Sequence, residues 1–234
     1  MPSLSQKINY MKKIFGKKEK VSSKKPWYRE YSEALVIAAI LALIIRSFIV
    51  QAYKIPSGSM EDTLLIGDHL LVSKFMYGTQ IPFTDITILQ FDEPERGDIV
   101  VFEFPEDAHM SWWKRRDFIK RIVGVPGDRV EMRDKKVYVN GEHYAIEQEI
   151  HKEPRTIYPG TIPSPQDRRD FMPAVIVPEG HYFVLGDNRD RSYDSRFWGF
   201  VAKDKIKGQA FIKYWSWDSE THRPRLSRIG RLIQ

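Results

Sequence analysis

The sequence contains no cysteine, which excludes several kinds of site at once. Disulfides and thiol nucleophiles are impossible, and so are zinc sites built on cysteine ligands. The six histidines are scattered through polar, turn-rich segments and lack the close pairing of metal-binding helices. Surface exposure or an ordinary hydrogen bond explains each of them, and none suits a Ser–His pair. The sequence therefore predicts no metal site and no cofactor.

Long apolar runs are also scarce, because the chain has only one. Ala34 to Ile45 is unbroken Ala, Leu, Ile and Val; Arg46 and Ser47 interrupt it, and residues 48–50 resume it. A spanning helix needs ~20 mostly apolar residues, so this run is short, although Arg46 lies near enough to its end to reach the interface. A buried helix of a soluble protein and a cleaved signal peptide, with residues 50–52 as the cleavage site, are the alternatives.

The charge distribution favours a membrane anchor over those alternatives. Residues 1–32 hold nine Lys/Arg and two Asp/Glu, which leaves 28 basic and 29 acidic residues for the rest of the chain. A basic arm could bind nucleic acid, but this arm directly precedes the apolar run and is far longer than the basic region of an ordinary signal peptide. We predict a basic cytoplasmic tail over 1–32, a transmembrane helix over 33–51, and everything from Ala52 onward outside the cytoplasm.

The remainder of the chain has mostly β texture. Apolar and alternating runs bounded by turn residues predict strands at 53–55, 70–75, 99–102, 118–123, 129–132, 137–139, 175–177, 181–185 and 210–215. Residues 63–66 are typical of a short helix, and Asn140-Gly141 of a tight turn. Residues 149–173 are rich in Pro, Arg and Asp and are predicted to lie outside the core. The pattern indicates a β core over 52–128 and 179–234, with an inserted β-ribbon over 129–178.

Two segments carry groups that could act together as nucleophile and base. Ile55-Pro56-Ser57-Gly58-Ser59-Met60 places two hydroxyls around one glycine, and a serine nucleophile needs a neighbouring base. Lys120 shares a strand face with Phe118 and Ile122. Burial there would lower its pKa, so that a neutral amine could accept a serine proton. The alternative is an edge-strand lysine that blocks aggregation.

A third segment, residues 186–199, is charged and bracketed by glycines. Such composition is also typical of a solvated loop. Asp194 and Arg196 could pair and hold it, while the Ser192 hydroxyl could orient the Lys120 amine without adding charge.

Taken together, these segments resemble the bacterial type I signal peptidases, which are membrane-anchored Ser/Lys endopeptidases that remove signal peptides from exported proteins. The matching segments occur in order at residues 55–60, 63–68, 96–102, 119–121, 124–128 and 186–199. Each is weak alone, but the ordered set is specific. Two departures stand out: Asp62 occupies a position where the family usually has Pro, and the segment 105–117 is long and carries Trp112 and Trp113.

The resemblance implies a role for each matching residue. Ser59 would be the nucleophile, Lys120 the general base, and the Ser57 hydroxyl with the Ser59 N–H the oxyanion hole. Supporting residues would be Ser192, Asp187, Arg121, Asp194 and Arg196. Pockets for small side chains at the −1 and −3 positions of the substrate would be lined by Ile55, Pro56, Met60, Leu64, Val101, Phe118 and Ile119. The implied fold is mostly β: an N-terminal transmembrane helix, then an antiparallel β catalytic core with an inserted β-ribbon subdomain.

The resemblance also implies the partners and the location. The substrates would be signal peptides of secretory preproteins, and the chain would be a single-pass monomer of the inner membrane that binds no nucleic acid. Val50 lies nine residues before Ser59, at most ~30 Å away, so the nucleophile would work near the outer membrane–water boundary. Trp112, Trp113, Trp215 and Trp217 suit an interface-facing surface.

Three other functions fit parts of the sequence. A soluble, self-cleaving Ser–Lys repressor shares the dyad but needs a DNA-binding domain where residues 1–51 offer an apolar run. A non-catalytic, membrane-anchored β module would show no precursor cleavage. A peptidase dedicated to one substrate has the same sequence features as a general processing enzyme.

Overall fold

The computed structural model describes residues 27–80, 87–160 and 165–233, which fall into two compact units divided between Ala42 and Leu43. The first unit is described by helix α1 (Trp27–Ile44), which continues as a π-helical turn (Ile45–Ile49) in the second. These 23 residues are long and apolar enough to cross a membrane, and none of the apolar window is buried. Of the predicted basic tail, residues 1–26 lie outside the described residues.

After the helix the chain is almost entirely strand and turn. The described strands are β1 (Val50–Lys54), β2 (Asp68–Ser73), β3 (Tyr77–Gln80), β4 (Thr87–Gln90), β5 (Ile99–Glu103), β6 (Asp117–Gly124), β7 (Arg129–Arg133), β8 (Lys136–Val139), β9 (Glu142–His143), β10 (Met172–Ile176), β11 (His181–Leu185), β12 (Val201–Ala202), β13 (Ile206–Asp218), β14 (Arg223–Pro224) and β15 (Arg231–Leu232). Helix α2 (Ser195–Trp198) is a single turn. Short 3₁₀ turns cover Pro105–Asp107, Trp112–Lys114, Pro165–Arg169, Arg189–Arg191, Lys203–Lys205 and Leu226–Arg228.

The strands form one large antiparallel sheet and two smaller ones. The large sheet has the order β1-β2-β13-β5-β6-β11-β12, with β14 and β15 also paired to β13. The inserted ribbon is the four-stranded sheet β10-β7-β8-β9, and β3 pairs with β4. Asp134-Lys135 and Asn140-Gly141 connect the ribbon strands through consecutive positive φ angles, as type I′ hairpin turns require. The predicted fold class, antiparallel β with an N-terminal apolar helix, is confirmed.

One row of residues across the large sheet links the end of the helix to the base candidate. Val50 pairs with Ser73, Ser73 with Gln209, Gln209 with Val100, and Val100 with Lys120. Lys120 therefore lies in the same row of the sheet as the residue at which the chain leaves the helical segment.

Three hydrophobic clusters stabilise these sheets. Burial of apolar side chains contributes about 25 cal/mol for each Å² removed from water, so such clusters dominate the favourable side of folding. The clusters are centred on Ile55 and Met60, on Phe102 and Tyr182, and on Val130 and Phe183. The last cluster joins the ribbon to β6 and β11, so the ribbon shares a core with the large sheet.

Two local predictions are wrong. Residues 63–66 form turns rather than a helix, because the backbone is held by side chains: Leu65 N–H donates to Asp68 Oδ2 (2.9 Å) and Thr63 Oγ1 donates to Asp187 Oδ2 (2.6 Å). Residues 149–173 are also not wholly outside the core. Asp170 is 1% exposed, since it accepts hydrogen bonds from the Arg169 guanidinium and the backbone of this segment.

Candidate active site

The turn that carries Ser59 is fixed by the strand before it and the loop beside it. Ile55 continues the pairing of β1 with β2, because its N–H donates to the Asp68 carbonyl at 2.9 Å. Asn188, which is fully buried, donates its N–H to the Ser59 carbonyl (3.2 Å) and its Nδ2 to the Gly58 carbonyl (3.1 Å). These bonds hold the Ser59 backbone in one position, and the residue as a whole is 9% exposed.

Lys120 reaches Ser59 from the middle of β6. Its Nζ lies 2.7 Å from Ser59 Oγ and donates to the Ile119 carbonyl at 3.0 Å. The residue is 3% exposed, which excludes the alternative of a solvated edge-strand lysine. Burial lowers the pKa of Lys120 to about 8. The charge of Asp194 opposes this shift, and the charge of Arg196 adds to it. An amine with this pKa, in contact with a hydroxyl, can take the hydroxyl proton at near-neutral pH.

The two predicted oxyanion donors are placed differently. In the described part of the chain the Ser59 N–H donates no hydrogen bond, so it is available to a ligand. The Ser57 side chain is exposed two residues earlier on the same turn.

Ser192 is close to the dyad, but it does not form the hydrogen bond to Lys120 that the resemblance implies. Its Oγ is buried, yet Lys120 Nζ bonds Ser59 and Ile119 rather than Ser192. Gly186 packs against both segments, since a Cβ there would collide with Ser192 Oγ and with the Ser59 carbonyl. The absence of a side chain at Gly186 lets the 186–192 loop approach the nucleophile turn closely.

Two buried ion pairs hold the loop that follows β11. Arg121 donates to both oxygens of Asp187 at 2.9 and 2.8 Å, and Thr63 Oγ1 shares the same carboxylate. Arg196 donates to both oxygens of Asp194 at 2.8 Å. Burial alone would raise the pKa of Asp194, but the Arg196 guanidinium outweighs it and the pKa is lowered. The Asp194 carboxylate therefore stays ionised although it is buried.

With this geometry in place, the comparisons with known proteins are decisive. The family profile described as "Signal peptidase, peptidase S26" matches residues 28–215. The chain belongs to the signal peptidase I family, peptidase S26, a family of serine endopeptidases.

Individual signal peptidases are similar in sequence to this chain along most of their own length. A signal peptidase I of Pseudomonas fluorescens is 36% identical over 89% of this chain and 80% of its own length. A probable signal peptidase I-2 of Synechocystis is 39% identical over 85% and 78%. A signal peptidase I of Aquifex aeolicus is 37% identical over 78% and 81%.

In this peptidase the predicted pocket residues fall into two groups. Ile55, Met60, Leu64 and Val101 are at most 2% exposed and belong to one cluster. Ile119 and Phe118 are only partly buried, and Pro56 is exposed. Ile119 packs against the buried group, whereas Phe118 packs against the cluster centred on Phe102 and Tyr182.

Two strand edges near the dyad have no pairing partner in the described residues. β1 pairs only with β2, and β6 pairs with β11 only from Arg121 onward, so residues 117–120 keep one edge free. Two contacts join these edges: Ser59 with Lys120, and Tyr53 Oη donating to Asp117 Oδ2 at 3.2 Å. On β6 the contacts are three residues apart, or about 10 Å of strand. We call the space bounded by these two edges and two contacts the slot.

Sequence reasoning missed Asn188, Tyr53 and Asp117 as parts of this site. Asn188 lies within the segment that carries the family resemblance, which was the available signal. The pair Tyr53–Asp117 has none, because the two residues are 64 positions apart and meet only through the sheet.

A groove of about 600 Å³ is lined by two of the predicted pocket residues, Ile55 and Pro56. It is lined by Trp215, Trp217, His69 and Lys54 among others, while neither Ser59 nor Lys120 lines it.

Proposed function

We propose that this chain cleaves N-terminal signal peptides from exported preproteins with a Ser59–Lys120 dyad, after small residues at −1 and −3. The observation that carries the proposal is the 2.7 Å contact between Lys120 Nζ and Ser59 Oγ in a buried setting. Membership of a signal peptidase family supplies the substrate class.

The reaction follows from the groups in contact. Ser59 Oγ attacks the scissile carbonyl carbon while the neutral Lys120 amine takes the hydroxyl proton. The Ser57 hydroxyl and the Ser59 N–H donate to the resulting oxyanion. Lys120 returns the proton to the leaving amine, which releases the mature chain and leaves an ester on Ser59. Lys120 then takes a proton from a water molecule that hydrolyses the ester, which frees the signal peptide and restores the enzyme.

Substrate recognition is assigned to the slot between β1 and β6. An extended peptide entering it would add a strand to two free edges, with backbone hydrogen bonds giving affinity. Alternate side chains would then face the floor made by Ile55, Met60, Leu64 and Val101. Because these residues are already packed together, the floor has space for little more than a methyl group, which favours small residues at −1 and −3.

The membrane sets where the reaction occurs. The apolar helix, with the basic tail on one side only, anchors the chain with its N-terminus in the cytoplasm and its β core outside. Lys120 shares a sheet row with Val50, so the dyad works close to the outer surface of the bilayer. We propose that the chain acts as a monomer, since each catalytic group comes from the same chain.

The test is cleavage of a full-length preprotein by the purified chain in detergent, with the new N-terminus of the product identified by mass spectrometry. A series of residues from Gly to Phe at −1 and −3 reports the specificity. An intact preprotein at high enzyme concentration would refute the proposal.

The first prediction concerns pH. Because burial lowers the pKa of Lys120 to about 8, kcat/KM should rise with pH through that value and level off above it. The sign follows from the need for a neutral amine, which protonation removes. Activity profiles from pH 6 to 10 on a precursor without titrating groups near its cleavage site test this. A midpoint below pH 7, or a falling profile, would contradict the assignment of Lys120 as base.

A second prediction concerns the oxyanion. Ser57→Ala should lower kcat about 10²-fold, as removal of one oxyanion donor does elsewhere, with KM nearly unchanged. Ser57→Thr keeps a hydroxyl and serves as the matched control, with a much smaller loss expected. Equal losses in the two variants would assign Ser57 a role in the turn rather than in the transition state.

A further inference from the structure

The loop that connects β5 to β6, residues 105–116, projects two exposed tryptophans. Trp112 and Trp113 are 77% and 66% exposed, and their rings meet edge to face at 5.7 Å. Large aromatic side chains left in water are unfavourable, so an exposed pair indicates a surface that is covered in the working protein. We call residues 111–114, with these two side chains and Lys114, the tryptophan tip.

The loop behind the tip is held firmly. Both oxygens of the Asp107 carboxylate, 1% exposed, accept from the Arg116 guanidinium at 2.7 and 2.8 Å. Arg115 pairs with Glu103 at 2.9 Å and donates to the Met110 carbonyl at 2.9 Å. These ion pairs fix the direction in which the tip points. They also neutralise both arginines, so Lys114 is the tip's one cation without an acidic partner in the described residues.

The tip lies at the end of the sheet where the helical segment enters. Val50 and Val100 lie in one row of the sheet. From that row, β5 runs on for three residues to Glu103, about 10 Å, in the direction from which Ile45–Ile49 arrives. Ile49 accepts a hydrogen bond from Lys74 N–H just beyond the same row, which fixes that direction. The loop and the membrane-proximal turn therefore extend from the same end of the sheet.

We propose that the tryptophan tip inserts into the headgroup region of the bilayer as a second membrane contact beside the apolar helix. Tryptophan is enriched at membrane–water boundaries because its ring is apolar and its N–H is polar. One lysine near the surface adds a modest attraction to anionic lipids. Because only one free charge is present, the contact should depend weakly on salt and strongly on the two rings. A second contact would hold β6, and with it Lys120, at a fixed height over the membrane.

The absence of cysteine makes a direct test possible, because one introduced thiol can be labelled uniquely. Ser111→Cys places a fluorophore next to Trp112 on an exposed side chain that caps nothing. Glu142→Cys, exposed on the ribbon strand β9, is the matched control. The full chain is reconstituted in vesicles of neutral and anionic phospholipid containing spin-labelled lipid. The label at 111 should be quenched and blue-shifted, and the label at 142 should behave as in water.

The double variant Trp112→Ser/Trp113→Ser, made in the Ser111→Cys chain, keeps the ion pairs behind the tip. We expect the fluorophore at position 111 to lose its quenching and its blue shift in this variant, as it would in water. KM for a vesicle-embedded precursor should rise roughly tenfold, while kcat/KM for a short soluble peptide changes less than about twofold. Unchanged peptide cleavage also shows that the variant is folded.

Three outcomes would overturn the inference: no quenching at 111 in the wild-type background, unchanged quenching in the double variant, or quenching only after precursor is added. The last would assign the tip to the substrate instead. The lipid contact is read without cleavage, so its failure is distinguishable from failure of the proposed function.

Discussion

Ser59→Ala and Lys120→Met will each abolish cleavage of a precursor and leave the protein folded. Ser59 supplies the atom that becomes acylated, and among the described residues Lys120 supplies the one amine in contact with it. Residues that act as one catalytic unit each cost nearly the whole enhancement when removed, so we expect at least about 10⁴-fold loss in kcat from either change. The double variant should be no slower than the singles, because they break the same step. Cleavage and melting temperature are measured on the same preparations.

Lys120→Arg is the informative control. It keeps a long cationic side chain, but a guanidinium stays protonated and cannot serve as the base, so this variant should also be inactive. Should either Ser59→Ala or Lys120→Met process the precursor at a near-normal rate, the dyad assignment would be wrong.

Lys120→Met should also melt at a higher temperature at pH 7. The pKa of Lys120 is lowered from 10.5 to about 8 by burial, so the unfolded chain binds its proton more tightly than the folded chain does. Wild-type stability should therefore rise with pH between about 8 and 10.5, and below 8 the buried amine is a burden on the order of 3 kcal/mol. Removing the amine removes that burden, and part of the gain is offset by the lost contact with Ser59. A gain in stability with a loss of activity separates a catalytic role from a structural one.

The sequence predicts those parts of the fold that local patterns determine. Asn140-Gly141 forms the tight turn that its composition requires, and the apolar run at 118–123 forms β6. The helix predicted over residues 63–66 does not form, because a short apolar run has no period that distinguishes a helix from a turn. Here Asp68 accepts from the Leu65 backbone N–H, and Asp187 accepts from the Thr63 hydroxyl. The burial of Asp170 was not predicted for a similar reason, because its hydrogen-bond partners are set by tertiary contacts that composition does not reveal.

The candidate site divides in the same way. Ser59, Lys120 and the residues of the two ion pairs could be named because they lie in the sequence motifs that match the family. The structure brings Ser59 into contact with Lys120 and forms both ion pairs. The slot could not be predicted, since it exists only where a free edge of β1 faces a free edge of β6. Tyr53 contacts Asp117 although the two residues lie in different rows of the sheet, and no local feature of either residue indicates that contact.

Asp194→Asn will destabilise the protein by about 3–5 kcal/mol, the usual result of removing one partner from a buried ion pair. Asp194 is fully buried, and the substitution leaves the Arg196 guanidinium, 1% exposed, with neutral acceptors in the described residues: the new amide oxygen and the carbonyls of Arg169, Arg189 and Ser192. The Gly186 N–H also loses its acceptor, at 3.1 Å in the wild type. Because Gly186 packs against the Ser59 carbonyl, the loss should loosen the nucleophile turn and lower kcat as well. Chemical denaturation gives the free energy of unfolding, and the precursor assay gives kcat.

Two control variants show whether the effect of Asp194→Asn is specific to the buried ion pair: one breaks a surface ion pair, and the other replaces both Asp194 and Arg196. Lys203→Met breaks the solvated contact between Lys203 and Glu93, 2.6 Å long, and should change the free energy of unfolding by less than about 1 kcal/mol. Asp194→Asn combined with Arg196→Met should be less damaging than Asp194→Asn alone, because no unpaired charge remains buried. The lowered pKa of Asp194 adds a pH signature: its contribution is complete above about pH 4, the unfolded value, and disappears as the pH falls through the lower folded value. A loss below 1 kcal/mol for Asp194→Asn would mean that water reaches the Arg196 guanidinium, and that the 186–196 loop is not the rigid brace of the dyad.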